Sequence, residues 1–333
     1  MKIRDVIFSI LKSIGISVPL KLLRVNNKEL VVLMFHRISD ELDPLWNPMP
    51  IKKFELLMEL LKNNTYVFPI EKINEIRNYP TKPLVAISFD DGYRDFYFNA
   101  YPILKKYNLP AHHNICPGLI DGKSLPWTQY LNLYLSSKNI KFIELPDKSI
   151  FQINGEVNER NFLDLCKILS QINSDRLNEW MKPIVFEVSK KETDLLMSWD
   201  MIRNCSESGI HIGSHSLTHQ NLAQLTDEIE LNKEINGSRK RIQEEVEINP
   251  RIFAFPNGFY NKKSLDFVIK SGFSTILLCE DKISIFEKDH SKKKSHIFPR
   301  INISGVGSNE EYLRTLGFHQ RINKILKYIK KKK

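Results

Sequence analysis

Short apolar runs alternate with amphipathic stretches along most of this chain. Runs of the length of a buried strand lie near 31–36, 84–89, 111–115, 210–213, 252–255, 274–278 and 297–303. Apolar residues at helical spacing lie near 51–63, 97–107, 198–208, 226–246 and 261–271. Strands that alternate with helices favour βαβ units around a parallel sheet, in which strands buried on both faces are apolar throughout. The pattern therefore predicts an α/β fold, and it leaves a closed barrel and a doubly wound open sheet as alternatives.

The alternation fails in one long internal segment. Residues at about 120–196 are predicted to be an insertion of mixed structure beside the mouth of the barrel. Long insertions on the loop face commonly shape access to the active site. The predicted organisation is an N-terminal amphipathic helical segment over 1–29, a barrel over 30–303 that contains the insertion, and a basic C-terminal helix and tail over 304–333.

Two adjacent carboxylates directly follow one of the apolar runs, in the segment Ser88-Phe89-Asp90-Asp91-Gly92. The glycine lets the backbone turn at once, so both aspartates are expected at the carboxyl end of a strand. Like charges side by side repel each other unless a metal ion or a proton offsets them. An ordinary Asp-Gly turn is the alternative explanation, so a second motif is needed to indicate a site.

Two histidines four residues apart, His215 and His219, follow another β-prone run. On one helical turn such side chains face the same way, so both imidazoles are predicted to reach one cation. A surface pair at a helix start is the alternative. With Asp91 the two histidines make a set of three ligands that leaves coordination positions open, as catalytic metal sites do. Asp90 then remains free to act as a base.

The two motifs together resemble those of the polysaccharide deacetylases of carbohydrate esterase family 4. In that family a T/S-F-D-D-G motif supplies a catalytic base and one metal ligand, and an H-S/T-x-x-H motif supplies two further ligands. The resemblance implies Asp90 as the base and Asp91, His215 and His219 as the metal ligands. It also implies a distorted (β/α)7-type barrel, with the site at the carboxyl ends of the strands.

A third family motif, an Arg-x-Pro-aromatic-Gly run beside the substrate groove, is altered in this chain. Its counterpart is Phe-Ala-Phe-Pro-Asn-Gly at 253–258, and Phe253 stands where the family often has its arginine. Arg300, from another predicted strand, is the proposed replacement as partner of the catalytic aspartate. By resemblance, Pro256 and Asn257 line the substrate site, where a backbone N–H near Asn257 would help to stabilise an oxyanion.

A histidine near the start of the barrel is the candidate general acid. In the poly-N-acetylglucosamine deacetylases, the subgroup that this chain resembles, an N-terminal M-x-H segment takes the place of a late histidine motif, and Met-Phe-His at 34–36 fits that pattern. The resemblance therefore implies His36 as the acid that protonates the leaving amine. His112, His113 and His211 are interpreted as structural or rim residues, because none occupies a motif position.

The resemblance implies removal of an N-acetyl group from an amino sugar of a cell-surface polysaccharide, or of its lipid-linked or nucleotide-linked precursor. A divalent ion would activate water and polarise the acyl carbonyl, and Asp90 would take the proton of the water. Zn²⁺ is the first candidate for two His and one Asp, with Co²⁺, Ni²⁺ and Fe²⁺ as alternatives. Trp127, in the insertion, is a candidate for stacking on a sugar ring or else a local core anchor.

Two other hypotheses remain open from the sequence. One is a catalytically silent relative that binds a glycan or a lipid carrier as a scaffold, which the missing motif arginine favours. The other is a metallohydrolase of the same fold that acts on a different non-peptide C–N bond. The metal ligands do not separate this last hypothesis from a deacetylase.

Charge and cysteine content narrow the expected partners and location. The net charge is +10, but the basic residues are scattered without a stripe of interleaved aromatic residues, which argues against nucleic acid. The four cysteines are widely spaced, so neither a disulfide framework nor a zinc cluster is predicted. Lys12 interrupts the apolar core that a signal peptide needs. We therefore expect a cytoplasmic protein.

The basic amphipathic ends add an expectation about membranes. An apolar stripe on residues 1–14 and a basic helical pattern that ends in Lys330–Lys333 are suited to an anionic membrane surface. Each lysine near the headgroups contributes up to about 1 kcal/mol. We expect peripheral contact at the inner membrane face, and the alternative is two helices packed on the barrel.

Overall fold

The computed structural model describes residues 29–303, apart from 42, 44, 77–79, 154, 191–193 and 286–294. The strands are β1 Glu29–Phe35, β2 Tyr66–Val67, β3 Leu84–Asp91, β4 His112–Ile115, β5 Phe142–Glu144, β6 Ile150–Gln152, β7 His211–Ser214, β8 Ile252–Ala254, β9 Thr275–Cys279, β10 Ser284–Ile285 and β11 His296–Asn302. The predicted helices at the two ends of the chain lie outside the described residues, and the domain boundaries stay a prediction.

The α-helices surround these strands. They are α1 Ile51–Asn64, α2 Tyr101–Tyr107, α3 Pro117–Asp121, α4 Trp127–Ser136, α5 Glu159–Leu169, α6 Ser174–Val188, α7 Trp199–Glu207, α8 Glu228–Asn232, α9 Ser238–Val246 and α10 Lys262–Lys270. Single π-type turns precede α2 and α9, and short 3₁₀ turns occupy Ile70–Glu75 and Pro256–Gly258.

The parallel strands β1, β3, β4, β7, β8, β9 and β11 close into a barrel. The closure depends on β1, which pairs with β3 on one side and with β11 on the other, as Leu33 does with Ile87 and Ile301. The predicted barrel is therefore confirmed, and the open-sheet alternative is wrong. The runs and stretches predicted as strands and helices are also confirmed, with bounds shifted by one or two residues when the π-type turns before α2 and α9 are counted with those helices. The stretch predicted at 226–246 is divided by such a turn into α8 and α9.

The barrel interior is apolar at one end and polar at the other. Leu30, Val32 and Ala86 lie in the interior cluster, and the 3₁₀ turn at Ile70–Glu75 contributes two further apolar side chains to it. Because side chains alternate along a strand, residues two positions further on face the same interior. Ser88 is two positions beyond Ala86, and it begins the polar layer at the carboxyl end of the strands. The apolar layer therefore forms the floor beneath the polar site.

The predicted insertion folds as α4, the hairpin β5–β6, α5 and α6. Asn158 and Asn173 cap α5 and α6 with their side-chain oxygens, which satisfies N–H groups at the helix starts. Leu131, Phe162 and Met181 are buried in the same cluster that covers the outside of the barrel, so the insertion packs on it through apolar contacts.

Within the described residues, none of the helices has the length and apolarity needed to cross a membrane.

Candidate active site

The aspartate pair lies at the end of β3, where the backbone turns sharply. Asp91 and Gly92 both have left-handed backbone angles, with φ of 76° and 88°. A hydrogen bond stabilises this turn: the backbone N–H of Gly92 donates to Nε2 of His113 at 3.1 Å. It brings both carboxylates to one imidazole: Nε2 of His215 lies 3.8 Å from Oδ2 of Asp90 and 3.3 Å from Oδ1 of Asp91.

The histidine pair follows β7 in a loop, and the prediction that a helical turn presents it is wrong. Ser216 and His219 have φ of 63° and 60°, which no α-helix accommodates. The loop is fixed by Glu234, a buried carboxylate that accepts hydrogen bonds from the backbone N–H of Thr218 at 2.9 Å and from its hydroxyl at 2.6 Å. The loop, not helical spacing, therefore directs the two imidazoles.

Three side chains converge on one point that suits a metal ion. The ligand atoms of Asp91, His215 and His219 lie within 4.8 Å of one another, and all three residues are buried. Oδ1 of Asp91 is 3.3 Å from Nε2 of each histidine and has no hydrogen-bond partner among the described residues. Nδ1 of His215 donates to the carbonyl of Ala254 at 2.8 Å, so in the neutral ring Nε2 is the atom that can bind a cation. These donors fit a divalent cation.

Asp90 is held as a buried carboxylate beside this group. Its Oδ1 accepts hydrogen bonds from Nη1 of Arg300 at 2.7 Å and from Nδ2 of Asn114 at 2.8 Å. Burial alone would raise the pKa of Asp90, but the charges of Arg300 and His215 outweigh it and hold the pKa well below its usual range. Arg300 thus lies where a partner of the aspartate is needed, and Phe253 packs in the apolar cluster behind the barrel wall.

His36 directly follows β1 and lines the same cavity as the carboxylates. Its ring meets Trp46 edge to face, with centroids 5.0 Å apart. Burial lowers the pKa of His36, and the nearby charges of Asp91 and Asp90 oppose that shift only in part. The imidazole is therefore largely neutral at pH 7 in this arrangement.

The cavity above these residues has a volume of about 290 Å³. Asn257 and Trp127 line it, the first from the turn after β8 and the second from the start of α4. Pro256 is buried and is not among the residues that line the cavity, so it supports the turn from within. Phe162 and Lys167 of α5 line the cavity too, so the insertion covers one side of the site.

No motif of the sequence indicates Asn114, whose side chain donates a hydrogen bond to Asp90. Nδ2 of Asn114 also donates to the hydroxyl of Ser88 at 3.1 Å, so the amide bridges two positions of β3. Its position at the carboxyl end of β4, adjacent to β3, is a signal that could have marked it. Glu234 and Trp46 contact the motif residues in space, but neither belongs to a motif along the chain, so the sequence does not indicate them.

Comparison with known proteins identifies the family. The family model described as polysaccharide deacetylase matches residues 77–139 and 149–276, which is more than half of the chain. The chain belongs to the polysaccharide deacetylase family. The match contains both the aspartate pair and the histidine pair, and it runs through much of the predicted insertion.

The individual relatives of this chain are distant. Poly-beta-1,6-N-acetyl-D-glucosamine N-deacetylase of Staphylococcus aureus strain MSSA476 is 25% identical over 242 residues, which are 72% of this chain and 61% of that protein. The chain thus spans about six tenths of the length of the curated relatives it matches.

Solved structures confirm the distorted (β/α)7 barrel. The deacetylase PplD of Streptococcus pyogenes, solved with acetate, superposes with a TM-score of 0.56 at 17% identity, over 86% of this chain and 98% of that one. IcaB from Ammonifex degensii superposes with a TM-score of 0.56 at 17% identity, over 88% and 97% of the two chains. At this identity the likeness concerns the fold.

Proposed function

We propose that this protein is a metal-dependent hydrolase that removes the acetyl group from an N-acetylated amino sugar. The substrate is a cell-surface polysaccharide or its lipid-linked or nucleotide-linked precursor. The observation that carries the proposal is the convergence of Asp91, His215 and His219 beside the Asp90–Arg300 pair, on the floor of one cavity at the carboxyl end of the barrel. The name of the S. aureus relative supports an N-acetylated glycan as substrate.

Asp91, His215 and His219 would hold the metal ion, and Zn²⁺ is the first candidate, with Co²⁺, Ni²⁺ and Fe²⁺ as alternatives. When bound, a divalent ion in such a site polarises the acyl carbonyl and lowers the pKa of a water molecule that it holds. The hydrogen bond from His215 to the carbonyl of Ala254 orients the ring before any metal arrives.

Asp90 is the proposed base, and its two oxygens have different roles. Oδ1 is occupied by donors from Arg300 and Asn114, so Oδ2 is the oxygen that remains to accept a proton. The lowered pKa keeps Asp90 ionised at neutral pH, which a base requires. Arg300, paired with Asp90 at 2.7 Å, is the proposed replacement for the missing motif arginine, and this pairing weakens the case for the scaffold hypothesis.

His36 and Asn257 are the proposed acid and oxyanion donor. Because burial lowers the pKa of His36, the imidazole has to take up a proton from solvent before it protonates the amine, and Asp90 returns the proton of the attacking water to solvent. In the turn after β8, the N–H groups of Gly258 and Phe259 already donate to backbone carbonyls, so the N–H of Asn257 is the candidate for the oxyanion. Trp127 stands at the wall where a sugar ring would stack.

The test is acetate release from a panel of N-acetylated sugars, nucleotide sugars and oligosaccharides. We expect release by the metal-loaded protein and a loss of about a hundredfold or more in Asp90→Asn. Asp200→Asn, the same change at a carboxylate with 89% side-chain exposure, is the matched control and should keep full activity. Release of a product other than acetate would favour a different C–N bond, and equal activity of Asp90→Asn would refute the proposed base.

We also propose that the protein is cytoplasmic and touches the inner membrane face. The net charge of +10 and the basic amphipathic patterns of 1–29 and 304–333 support this location. The test is binding to vesicles with and without anionic lipid, at two salt concentrations. Binding that needs anionic lipid and weakens with salt would support the proposal, and absence of binding would overturn it.

A further inference from the structure

A second cavity of about 710 Å³ adjoins the active-site cavity. The two share four lining residues, which are Trp127, Ser170, His219 and Asn257. One of these four is a proposed metal ligand, so the second cavity opens beside the reaction centre. We name it the apolar chamber, bounded by α6 on one side and by the loop after α3 on the other.

One face of α6 forms the inner wall of the apolar chamber. Leu177, Met181 and Val185 line it at intervals of four residues, and Phe186 extends the same face with 69% of its surface exposed. Leu119 lines the opposite wall. These side chains have no hydrogen-bonding groups and offer burial to an apolar ligand, while polar side chains such as Asn178, Lys182 and Gln220 line other parts of the chamber.

Two polar residues that line the apolar chamber close to His219 have hydrogen-bond partners within the protein. The Asn221 amide donates to the carbonyl of Ser170 at 2.8 Å, and its oxygen accepts from the backbone N–H of Ala223 at 3.0 Å. The hydroxyl of Thr218 donates to Glu234 at 2.6 Å. These two side chains therefore leave little hydrogen-bonding capacity of their own for a glycan.

We propose that the apolar chamber binds an alkyl or isoprenoid chain carried by the amino sugar through its anomeric oxygen. This inference rests on the proposed function, and it narrows the substrate from a polymer to an amphiphilic glycoside. Asp90 and Arg300 lie on the floor of the active-site cavity, so the acyl group has to point down to them. Of the residues at which the two cavities meet, His219 and Asn257 belong to the acyl side of the site and Trp127 to the sugar side. The chain is assigned to the sugar ring on the position of Trp127, and N-octanoylglucosamine is the comparison that separates the two.

The test compares binding of methyl and octyl glycosides of N-acetylglucosamine to Asp90→Asn protein, by calorimetry below the micellar concentration. The Asp90→Asn background prevents turnover. Each buried methylene strengthens binding by up to about fourfold, so we expect the octyl glycoside to bind at least about tenfold more tightly than the methyl glycoside. N-octanoylglucosamine and a trimer of N-acetylglucosamine are measured beside them.

Two variants place the effect in the apolar chamber. We expect Phe186→Ser to reduce the octyl-to-methyl ratio by about threefold or more, and Val185→Glu, at a half-buried position, to reduce it by about tenfold or more. Phe142→Ser is the matched control, because Phe142 is also a phenylalanine with 58% exposure but lies on β5 outside both cavities. It should leave the ratio unchanged.

The outcomes separate this inference from the proposed function. A chain-length effect that Phe186→Ser weakens and Phe142→Ser does not would establish the chamber, even if wild-type protein releases no acetate. Equal binding of methyl and octyl glycosides would overturn the inference and leave deacetylation of other glycans intact. A gain only for N-octanoylglucosamine, or only for the trimer, would also overturn it, and would assign the chamber to an acyl chain or to further sugar units.

Discussion

At the scale of single residues, the site depends on a position that has no side chain at all. Gly213 of β7 faces Asn114 of β4, and a Cβ at this glycine would lie 2.2 Å from Oδ1 of Asn114. Asn114 in turn donates to the carboxylate of Asp90. Glycine is therefore required at position 213 because the Asn114 side chain lies too close for a Cβ, and not because of the backbone angles. Through Asn114 this requirement affects the proposed base, Asp90.

Replacing Gly213 by alanine should displace Asn114. We expect a loss of about 1–3 kcal/mol in the free energy of unfolding from overpacking, together with a fall in kcat of about tenfold because Asp90 loses a donor. Denaturant titration and acetate release measure the two effects. Gly237→Ala is the control, since its nearest contact would be an ordinary 3.6 Å. Equal behaviour of the two variants would show that Asn114 does not depend on Gly213.

The residues named from the sequence differ in how they could be found. Asp91 and His219 belong to motifs, because metal chemistry needs those ligand types at fixed positions. Arg300 follows from the chemistry of the third motif, because the charge that this motif lacks has to come from another strand. Asn114 could not be named in this way, because an asparagine on a strand carries no chemical signature until its neighbours in space are known.

At the scale of elements, a buried polar network joins the loop after β1 to the insertion. Asp43 accepts hydrogen bonds from Arg37 at 3.3 Å, from Gln129 at 3.2 Å and from Asn132 at 2.6 Å. Arg37 follows the proposed acid directly in sequence, and the two amides belong to α4, which begins with Trp127. The network therefore fixes the loop after β1 and helix α4, two walls of the active-site cavity, relative to each other.

Changing Asp43 to asparagine should loosen this connection. Its donors lose a charged, buried acceptor, and we expect about 1–3 kcal/mol lower stability and a raised KM. The control is Asp194→Asn, which breaks an ion pair with Arg94 at a carboxylate of 82% exposure and should cost less than about 1 kcal/mol. A KM that stays unchanged while stability falls would restrict Asp43 to a role in folding.

The elements themselves were largely predictable, and the exceptions have clear causes. The barrel strands are continuous apolar runs, because they are buried on both faces. The loop at His215–His219 was wrongly predicted as a helical turn, since the left-handed angles at two non-glycine residues leave no mark in the sequence. The short strands β2 and β10 have two residues each, too few for any periodicity.

At the scale of the whole molecule, the barrel buries histidines that are not part of the reaction. His112 lies inside β4 with neither ring nitrogen hydrogen-bonded within the described residues. Burial lowers the pKa of His112 to about 4, although the charge of Glu71 opposes the shift. The unfolded chain binds this proton near pH 6.5, so between these values the unfolded state carries more protons than the folded state.

The free energy of unfolding should therefore be unaffected by His112 above about pH 6.5 and should decrease as the pH falls towards 4. Protonation of His112 in the unfolded chain lowers the free energy of unfolding by about 3 kcal/mol at most. We expect His112→Leu to flatten the pH dependence of the free energy of unfolding by up to this amount, measured by denaturant titration with a chelator present in both samples. Parallel curves for the two proteins would show that His112 is not held neutral by burial.

Closure of the barrel is the feature that the sequence left undecided. It depends on the pairing of β1 with β11, whose residues Leu33 and Ile301 are distant along the chain. The hydrophobic pattern identifies strands but not the strands they pair with, so the same apolar runs are expected for a closed barrel and for an open sheet. The family resemblance, and not the pattern, supplied the correct choice.

The most direct test of a metal-dependent deacetylase is a metal titration of the whole protein. Protein stripped with a chelator is titrated with Zn²⁺, and acetate release from the N-acetylated substrate identified in the panel is measured at each step. We expect negligible release without metal, and a linear rise that ends at one ion per chain, the stoichiometry of the site formed by Asp91, His215 and His219. Full release from the stripped protein, or none at one bound ion per chain, would contradict the proposed mechanism.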